Sequence, residues 1–183
     1  GLNAEKIGKG TAIGVGIYFV QRFMSKEATE VLARGGLRGA ALSKVTFLLM
    51  AVVVAPLTEE YGRRLSRRIG AEGGFTFALN AVEIVFATTT MVSRGAGLMQ
   101  ALAARLLPAM AMHTVAETMQ QYYDKLLPSI NKEGENSSTT GYWMAVAFHA
   151  IWNLAAAVMG DLSALAENSS DELDVPLSEM ALI

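Results

Sequence analysis

Two adjacent carboxylates, Glu59 and Glu60, stand where a long apolar run gives way to a basic segment. Three further segments carry ionisable or amide side chains in apolar surroundings, namely Glu83, His113, and the pair His149 and Asn153. Ionisable side chains inside a membrane are costly, so such residues are candidates for a functional site. The pattern therefore favours one centre assembled from several membrane helices.

The chemistry that this set permits is attack of water on a carbonyl group, assisted by a metal ion or by a carboxylate. Two imidazoles from different helices, His113 and His149, can hold zinc together with a carboxylate and leave a position for water. A second glutamate can then deprotonate that water. Asn153 can donate a hydrogen bond to the developing oxyanion.

Each of these residues also has a purely structural interpretation. A single histidine in an apolar helix is often a hydrogen-bonded packing residue. Glu59 and Glu60 beside arginines can form an interfacial charge cluster. Glu83, isolated in an apolar run, can pair with Arg105. Only the joint occurrence of the residues favours an active centre.

Composition points to an apolar chain with little charge. Of 183 residues, 52% are hydrophobic and 17% are charged, against roughly 25% charged residues in a typical soluble domain. We therefore predict an all-α fold, a polytopic membrane bundle of four or five transmembrane helices in contact with membrane lipids. A very apolar soluble bundle remains the alternative. The net charge of −2 argues against a nucleic-acid partner.

The chain has no cysteine, which excludes disulfides and leaves histidine, glutamate and aspartate as metal ligands. The opening residues Gly1-Leu2-Asn3 are not typical of a native start. We therefore expect a chain that begins after processing or that is a fragment.

Hydrophobic segments predict five helices within one domain, residues 1–163, followed by an acidic polar tail, residues 164–183. Pro56 and Pro108 predict kinks just before Glu59 and His113. The predicted helices are Thr11–Met24, which is short for a span, Gly39–Tyr61, Phe75–Val92, Leu98–Tyr123 and Gly141–Leu162, with an amphipathic connection over Ser25–Arg38 and a loop over Asp124–Thr140.

Counted from the helix ends, the polar groups all lie at a similar predicted depth of roughly 10–15 Å. Basic residues place the side that holds Arg63–Arg68 in the cytosol or its equivalent. Glu60 and Arg64 are four residues apart, so their side chains share a helix face and can pair.

Glu59-Glu60-Tyr61-Gly62-Arg63-Arg64 resembles the EExxxR motif of the CPBP (CAAX protease and bacteriocin-processing) intramembrane proteases. His149-Ala150-Ile151-Trp152-Asn153 resembles their closing HxxxN motif. The helix with Glu83 and the spacing from Arg105 to His113 are similar to the related PrsW branch. The resemblance covers Val45 to about Gly160.

The resemblance implies an intramembrane endopeptidase that hydrolyses a membrane-associated peptide or protein near the cytosolic face. It makes Glu59 the general base, pairs Glu60 with Arg64, lets His113 and His149 hold water or metal, and makes Asn153 the oxyanion donor. The predicted metal ligands, for zinc, are His113, His149 and Glu83. The sequence departs from the family patterns at Ala109 and Leu79, where both motifs have phenylalanine.

Two other functions fit the same residues. A catalytically silent, protease-like chain can pack with other membrane subunits in a larger complex. A small transporter or proton relay also uses buried glutamate and histidine, but it needs polar groups across the whole membrane, and here they lie in one half.

Overall fold

The computed structural model describes residues 3–93, 95, 97–126 and 139–169, and within them every regular element is helical. This agrees with the predicted all-α class. The helices are α1 (Ala4–Arg34), α2 (Gly39–Leu49), a π-helical turn (Met50–Val54), α3 (Ala55–Arg68), α4 (Glu72–Ser93), α5 (Leu98–Leu126) and α6 (Thr140–Ser169).

The first helix is much longer than the sequence predicts. Instead of a short helix followed by a connection over Ser25–Arg38, α1 runs without interruption for 31 residues. The Asn3 side chain caps its start by accepting a hydrogen bond from the Lys6 amide at 2.8 Å. No proline interrupts Ser25–Arg34, and Gly36, with φ +104°, ends the helix where other residues would be strained.

The second segment is continuous from Gly39 to Arg68, with a π-helical turn in its middle. The turn lies immediately before Pro56, where the sequence predicts a kink. In the turn the Ala55 amide donates to the carbonyl of Met50, five residues back. In that register the next amide would donate to the Ala51 carbonyl, but Pro56 has no N–H. The proline therefore leaves the Ala51 carbonyl without a helical donor.

The remaining helices extend beyond their predicted ends. Helix α4 begins at Glu72, so only the bend around Gly70 (φ +65°) separates it from α3. Helix α5 continues to Leu126, three residues into the predicted loop. Helix α6 continues to Ser169, so the predicted tail starts inside a helix. Residues 127–138 and 170–183 lie outside the described residues.

Helix α1 packs along α4, and α5 packs along both α4 and α6. Helix α3 lies among them and contacts α1, α4, α5 and α6. Hydrogen bonds from α1 and α6 are among those that fix α3 within the bundle. The Gln21 amide of α1 donates to Thr58 Oγ1 at 3.0 Å, and the Tyr142 hydroxyl of α6 donates to the Leu57 carbonyl at 3.0 Å. The carboxylates of α3 are thereby held in the centre of the molecule.

Large apolar side chains cover the outside of the bundle, while several polar ones fill its inside. Phe19, Phe23 and Phe77 are each more than 60% exposed. Glu60, Arg63, His113, Gln120 and His149 are each exposed by less than 2%. Exposed apolar surface on this scale is typical of a membrane or subunit interface. Two helical stretches of the described residues, Gly39–Arg68 and Thr140–Asp161, are long and apolar enough to span a membrane.

Gly10 allows α1 and α4 to approach closely. A Cβ atom at Gly10 would collide with the Ala71 carbonyl oxygen and lie 2.6 Å from the Phe75 amide nitrogen. We expect Gly10→Ala to destabilise the protein by about 1–3 kcal/mol, because the two helices must separate. Gly8→Ala is the matched control, since a Cβ there meets no atom within 4 Å. Thermal unfolding in detergent measures both; equal midpoints for the two variants would contradict this packing.

Candidate active site

Glu60 lies at the centre of the site, and both of its carboxylate oxygens are bound. Oε1 lies 3.0 Å from Nδ1 of His149. Oε2 accepts hydrogen bonds from Arg63 Nε at 3.0 Å and from Gln120 Nε2 at 2.8 Å. The side chain is completely buried. A buried carboxylate needs such donors to offset the loss of hydration, so Glu60 is fixed in one orientation.

Arg63, rather than Arg64, is the partner of Glu60. The predicted pair of Glu60 with Arg64 is not formed among the described contacts, and Glu60 pairs with Arg63 instead. Residues three and four apart both neighbour Glu60 on a helix, and packing decides between them. Arg63 is fully buried towards α5, where Glu117 and His113 receive its other donors, whereas Arg64 Nη1 is buried with no hydrogen-bond partner among the described side chains.

The Arg63 guanidinium joins three helices. Its Nη1 lies 3.3 Å from Thr76 Oγ1 of α4 and 3.5 Å from Glu117 Oε2 of α5. Its carbon Cζ lies 5.8 Å from the centre of the Phe75 ring, within the range of a cation–π contact. Because an arginine presents several fixed donors, this one side chain sets the distances between the helices that carry the site.

Gln120 of α5 completes the surroundings of Glu60. Its Nε2 donates both to the Glu60 side chain and, at 3.1 Å, to the Glu60 backbone carbonyl. Its Oε1 accepts from Arg67 Nη1 at 3.2 Å. A basic donor on one side and an acidic acceptor on the other fix the orientation of the amide. Gln120 is a residue that the sequence did not single out, since a glutamine near a helix end carries no distinctive signal.

His149 lies between the two carboxylates. Its Nδ1 faces Glu60, and its Nε2 lies 3.5 Å from Oε2 of Glu59. Both side chains are at most 5% exposed. A neutral histidine that donates its Nδ1 proton to Glu60 has an unprotonated Nε2. Glu59 and that nitrogen are close enough to bind the same water molecule.

His113 lies on the other side of the cluster, with its ring centre 6.0 Å from that of His149. Its Nδ1 is 2.8 Å from Arg63 Nη2. Arginine can only donate, so Nδ1 must accept, and in a neutral ring the proton is on Nε2. A zinc-binding histidine normally donates its second ring N–H to an acceptor. Because Nδ1 of His113 faces the Arg63 donor, the ring lacks such an acceptor at that nitrogen.

The predicted zinc set of His113, His149 and Glu83 stays a prediction, because part of it lies outside the described residues. Among them, no group of three or more histidine, cysteine, aspartate or glutamate side chains could hold a metal ion. Glu83 lies on helix α4, but its side chain, like that of Arg105, is outside the described residues. The predicted contributions of these two residues stay predictions.

Asn153 binds the irregular part of the second helix. Its Nδ2 donates to the Ala51 carbonyl at 2.7 Å, the acceptor that the π-helical turn and Pro56 leave without a helical donor. One turn earlier on α6, His149 binds Glu60 of α3. His149 and Asn153 of α6 thus hydrogen-bond to the continuous α2–α3 segment at two points. These two bonds fix the rotation of that segment about its axis and so the direction in which its glutamates face α6.

A cavity of 220 Å³ opens beside this centre. Glu59, His149 and Asn153 line it together with apolar side chains of α2, α3 and α5. Of the predicted site residues, Glu59, Glu60, His113, His149 and Asn153 thus come together, and Arg64 does not join them. The residues that sequence reasoning missed are Arg63 and Gln120.

Comparison with protein-family models, with curated proteins and with solved structures finds no match to this chain. The functional assignment therefore rests on the geometry of the site.

Proposed function

We propose that this chain is an integral membrane endopeptidase that hydrolyses peptide bonds with a glutamate–histidine centre. The observation that supports the proposal best is the position of His149, which contacts Glu60 through Nδ1 and faces Glu59 through Nε2 beside an open cavity. A bound imidazole with one acceptor nitrogen next to a second acceptor is the arrangement that orients and activates water.

In the proposed reaction, water donates hydrogen bonds to the Glu59 carboxylate and to His149 Nε2. Its oxygen attacks the carbonyl carbon of the substrate while Glu59 accepts a proton. The amide of Asn153 has two N–H groups and uses one for Ala51; the second donates to the oxyanion. The carbon–nitrogen bond then breaks as Glu59 returns the proton to the leaving nitrogen, giving a carboxyl and an amino terminus.

Glu60, Arg63 and Gln120 are positioning residues in this scheme. They do not touch the reacting atoms, but they hold His149 in the tautomer that leaves Nε2 unprotonated. Positioning of this kind lowers the barrier because the groups need not reorganise during the reaction.

The proposal includes a membrane bundle of four or five spans with the Arg63–Arg68 side in the cytosol or its equivalent. The two apolar spans and the exposed phenylalanines of α1 and α4 support insertion in lipid. The basic residues after Glu60 support the orientation. Reactivity of single cysteines placed at Arg68 and Arg38, in a chain that has none of its own, tests the orientation.

Because Nδ1 of His113 faces an arginine donor rather than an acceptor, we expect cleavage to be independent of metal. Purified wild-type protein in detergent, treated with a strong chelator and dialysed, should cleave membrane peptides at its original rate. Elemental analysis of the same sample provides the control. Loss of cleavage that added zinc restores would contradict a metal-free glutamate–histidine centre and support the zinc prediction.

A non-catalytic membrane subunit is the second candidate function. The complete hydrogen bonding of Glu60 favours it, since such a network also serves structure alone. Co-purification with several membrane proteins, with Glu59→Gln leaving both the assembly and its cellular function intact, would favour this candidate over the protease.

A further inference from the structure

The cavity beside Glu59 and His149 has mainly apolar walls. Phe47 of α2, Met50 of the π-helical turn, Ala55 of α3 and Met112 of α5 form them. Among the described residues, the lining includes no lysine or arginine, and Glu59 is its single carboxylate; Gln21, His149 and Asn153 are its other polar side chains. An apolar wall rejects charged groups, because their desolvation is not compensated, and Glu59 repels an acidic group in particular.

The size of the cavity limits what can bind there. Its volume of 220 Å³ lies below the roughly 300–1,000 Å³ of pockets for drug-sized ligands. It suits one large side chain with part of its backbone. The two methionines in the wall are flexible and can adapt to side chains of different shape.

Asn153 adds a polar side chain to the lining of the cavity. Its Oδ1 is buried and has no hydrogen-bond partner among the described residues, while its Nδ2 is held by the Ala51 carbonyl. A buried acceptor without a donor is costly.

On the basis of the proposed function, we propose that this cavity binds a large apolar side chain of the substrate next to the bond that is cleaved. Leucine, methionine or phenylalanine at that position fills the space between Met50, Ala55 and Met112. The bound side chain places the adjoining carbonyl beside Glu59 and His149. The substrate class is thus a membrane-associated peptide with a large apolar residue at the cleavage site.

The test uses peptides that differ only at one residue beside the cleaved bond. Wild-type protein in liposomes should cleave the leucine peptide about 10–100-fold faster than the alanine peptide, and the aspartate peptide still more slowly. Ala55→Phe fills the cavity and should bring the leucine and alanine rates close together. Ala147→Phe, on the exposed face of α6, is the matched control and should keep the preference.

A second variant keeps the test decisive if Ala55→Phe does not fold. Met50→Ala enlarges the cavity and should shift the preference from leucine towards phenylalanine, with kcat/KM as the readout. Cleavage by the wild type with equal rates for leucine, alanine and aspartate would overturn the pocket and leave the protease proposal standing.

Crosslinking tests the pocket without cleavage. A peptide with a photoreactive apolar side chain, bound to the Glu59→Gln variant, should label Phe47, Met50 or Met112, and excess leucine peptide should compete. Labelling together with no cleavage by the wild type would reject the proposed function but support the binding site. Labelling elsewhere on the chain would overturn the pocket itself.

Discussion

Replacing Glu59 with glutamine should lower peptide cleavage by about 10²–10⁴-fold, the usual contribution of a general base. The change keeps the size of the side chain and removes only its ability to accept a proton. Because Glu59 faces His149 Nε2 at 3.5 Å, the glutamine amide can occupy the same place. We therefore expect kcat to fall while KM and the unfolding temperature change little.

Glu27→Gln is the matched control for this variant, since Glu27 is exposed on α1 and far along the chain from the site. It should cleave at the wild-type rate. Rates are measured by mass spectrometry of the peptide products. Equal cleavage by wild type and Glu59→Gln would remove the assigned base from the mechanism.

Replacing Arg63 with glutamine should produce the largest loss of stability. Arg63 and Glu60 are both completely buried, and removing one member of such a pair leaves a buried charge without compensation, which costs about 3–5 kcal/mol. For a chain of this size, that corresponds to a fall of about 10 °C in the unfolding temperature. Cleavage should also fall, because His149 loses its fixed partner.

Arg64→Gln is the control that distinguishes the observed Glu60–Arg63 pair from the Glu60–Arg64 pair expected from the sequence. Arg64 is partly exposed and makes no hydrogen bond with Glu60 among the described contacts, so its loss should change stability by less than about 1 kcal/mol. The double variant Arg63→Gln with Glu60→Gln should recover part of the lost stability, because no buried charge remains. A larger loss for Arg64→Gln than for Arg63→Gln would contradict the network.

The sequence predicts the grouping of the polar residues better than their detailed contacts. The periodic position of Glu59, His113 and His149 in apolar helices is enough to suggest a common site, because each such group needs a partner. Spacing alone does not choose between Arg63 and Arg64, which both neighbour Glu60. That choice depends on which side of α3 packs against α5.

Helix ends and the role of Asn153 also depend on tertiary structure. Ser25–Arg34 is polar enough to suggest a connection, yet it continues α1 because its residues are compatible with a helix and no proline intervenes. Pro56 predicts an irregular helix. The residue types do not predict the π-helical register that frees the Ala51 carbonyl. The hydrogen bond from Asn153 follows only once that register is known.

Cleavage in water enriched in oxygen-18 tests the central claim most directly. Wild-type protein in liposomes, incubated with a membrane peptide that has a large apolar residue at its centre, should release two products. Mass spectrometry should find the label in the new terminal carboxyl group and a free amine on the other product. An intact peptide, or products without the label, would contradict hydrolysis by a water molecule bound between Glu59 and His149.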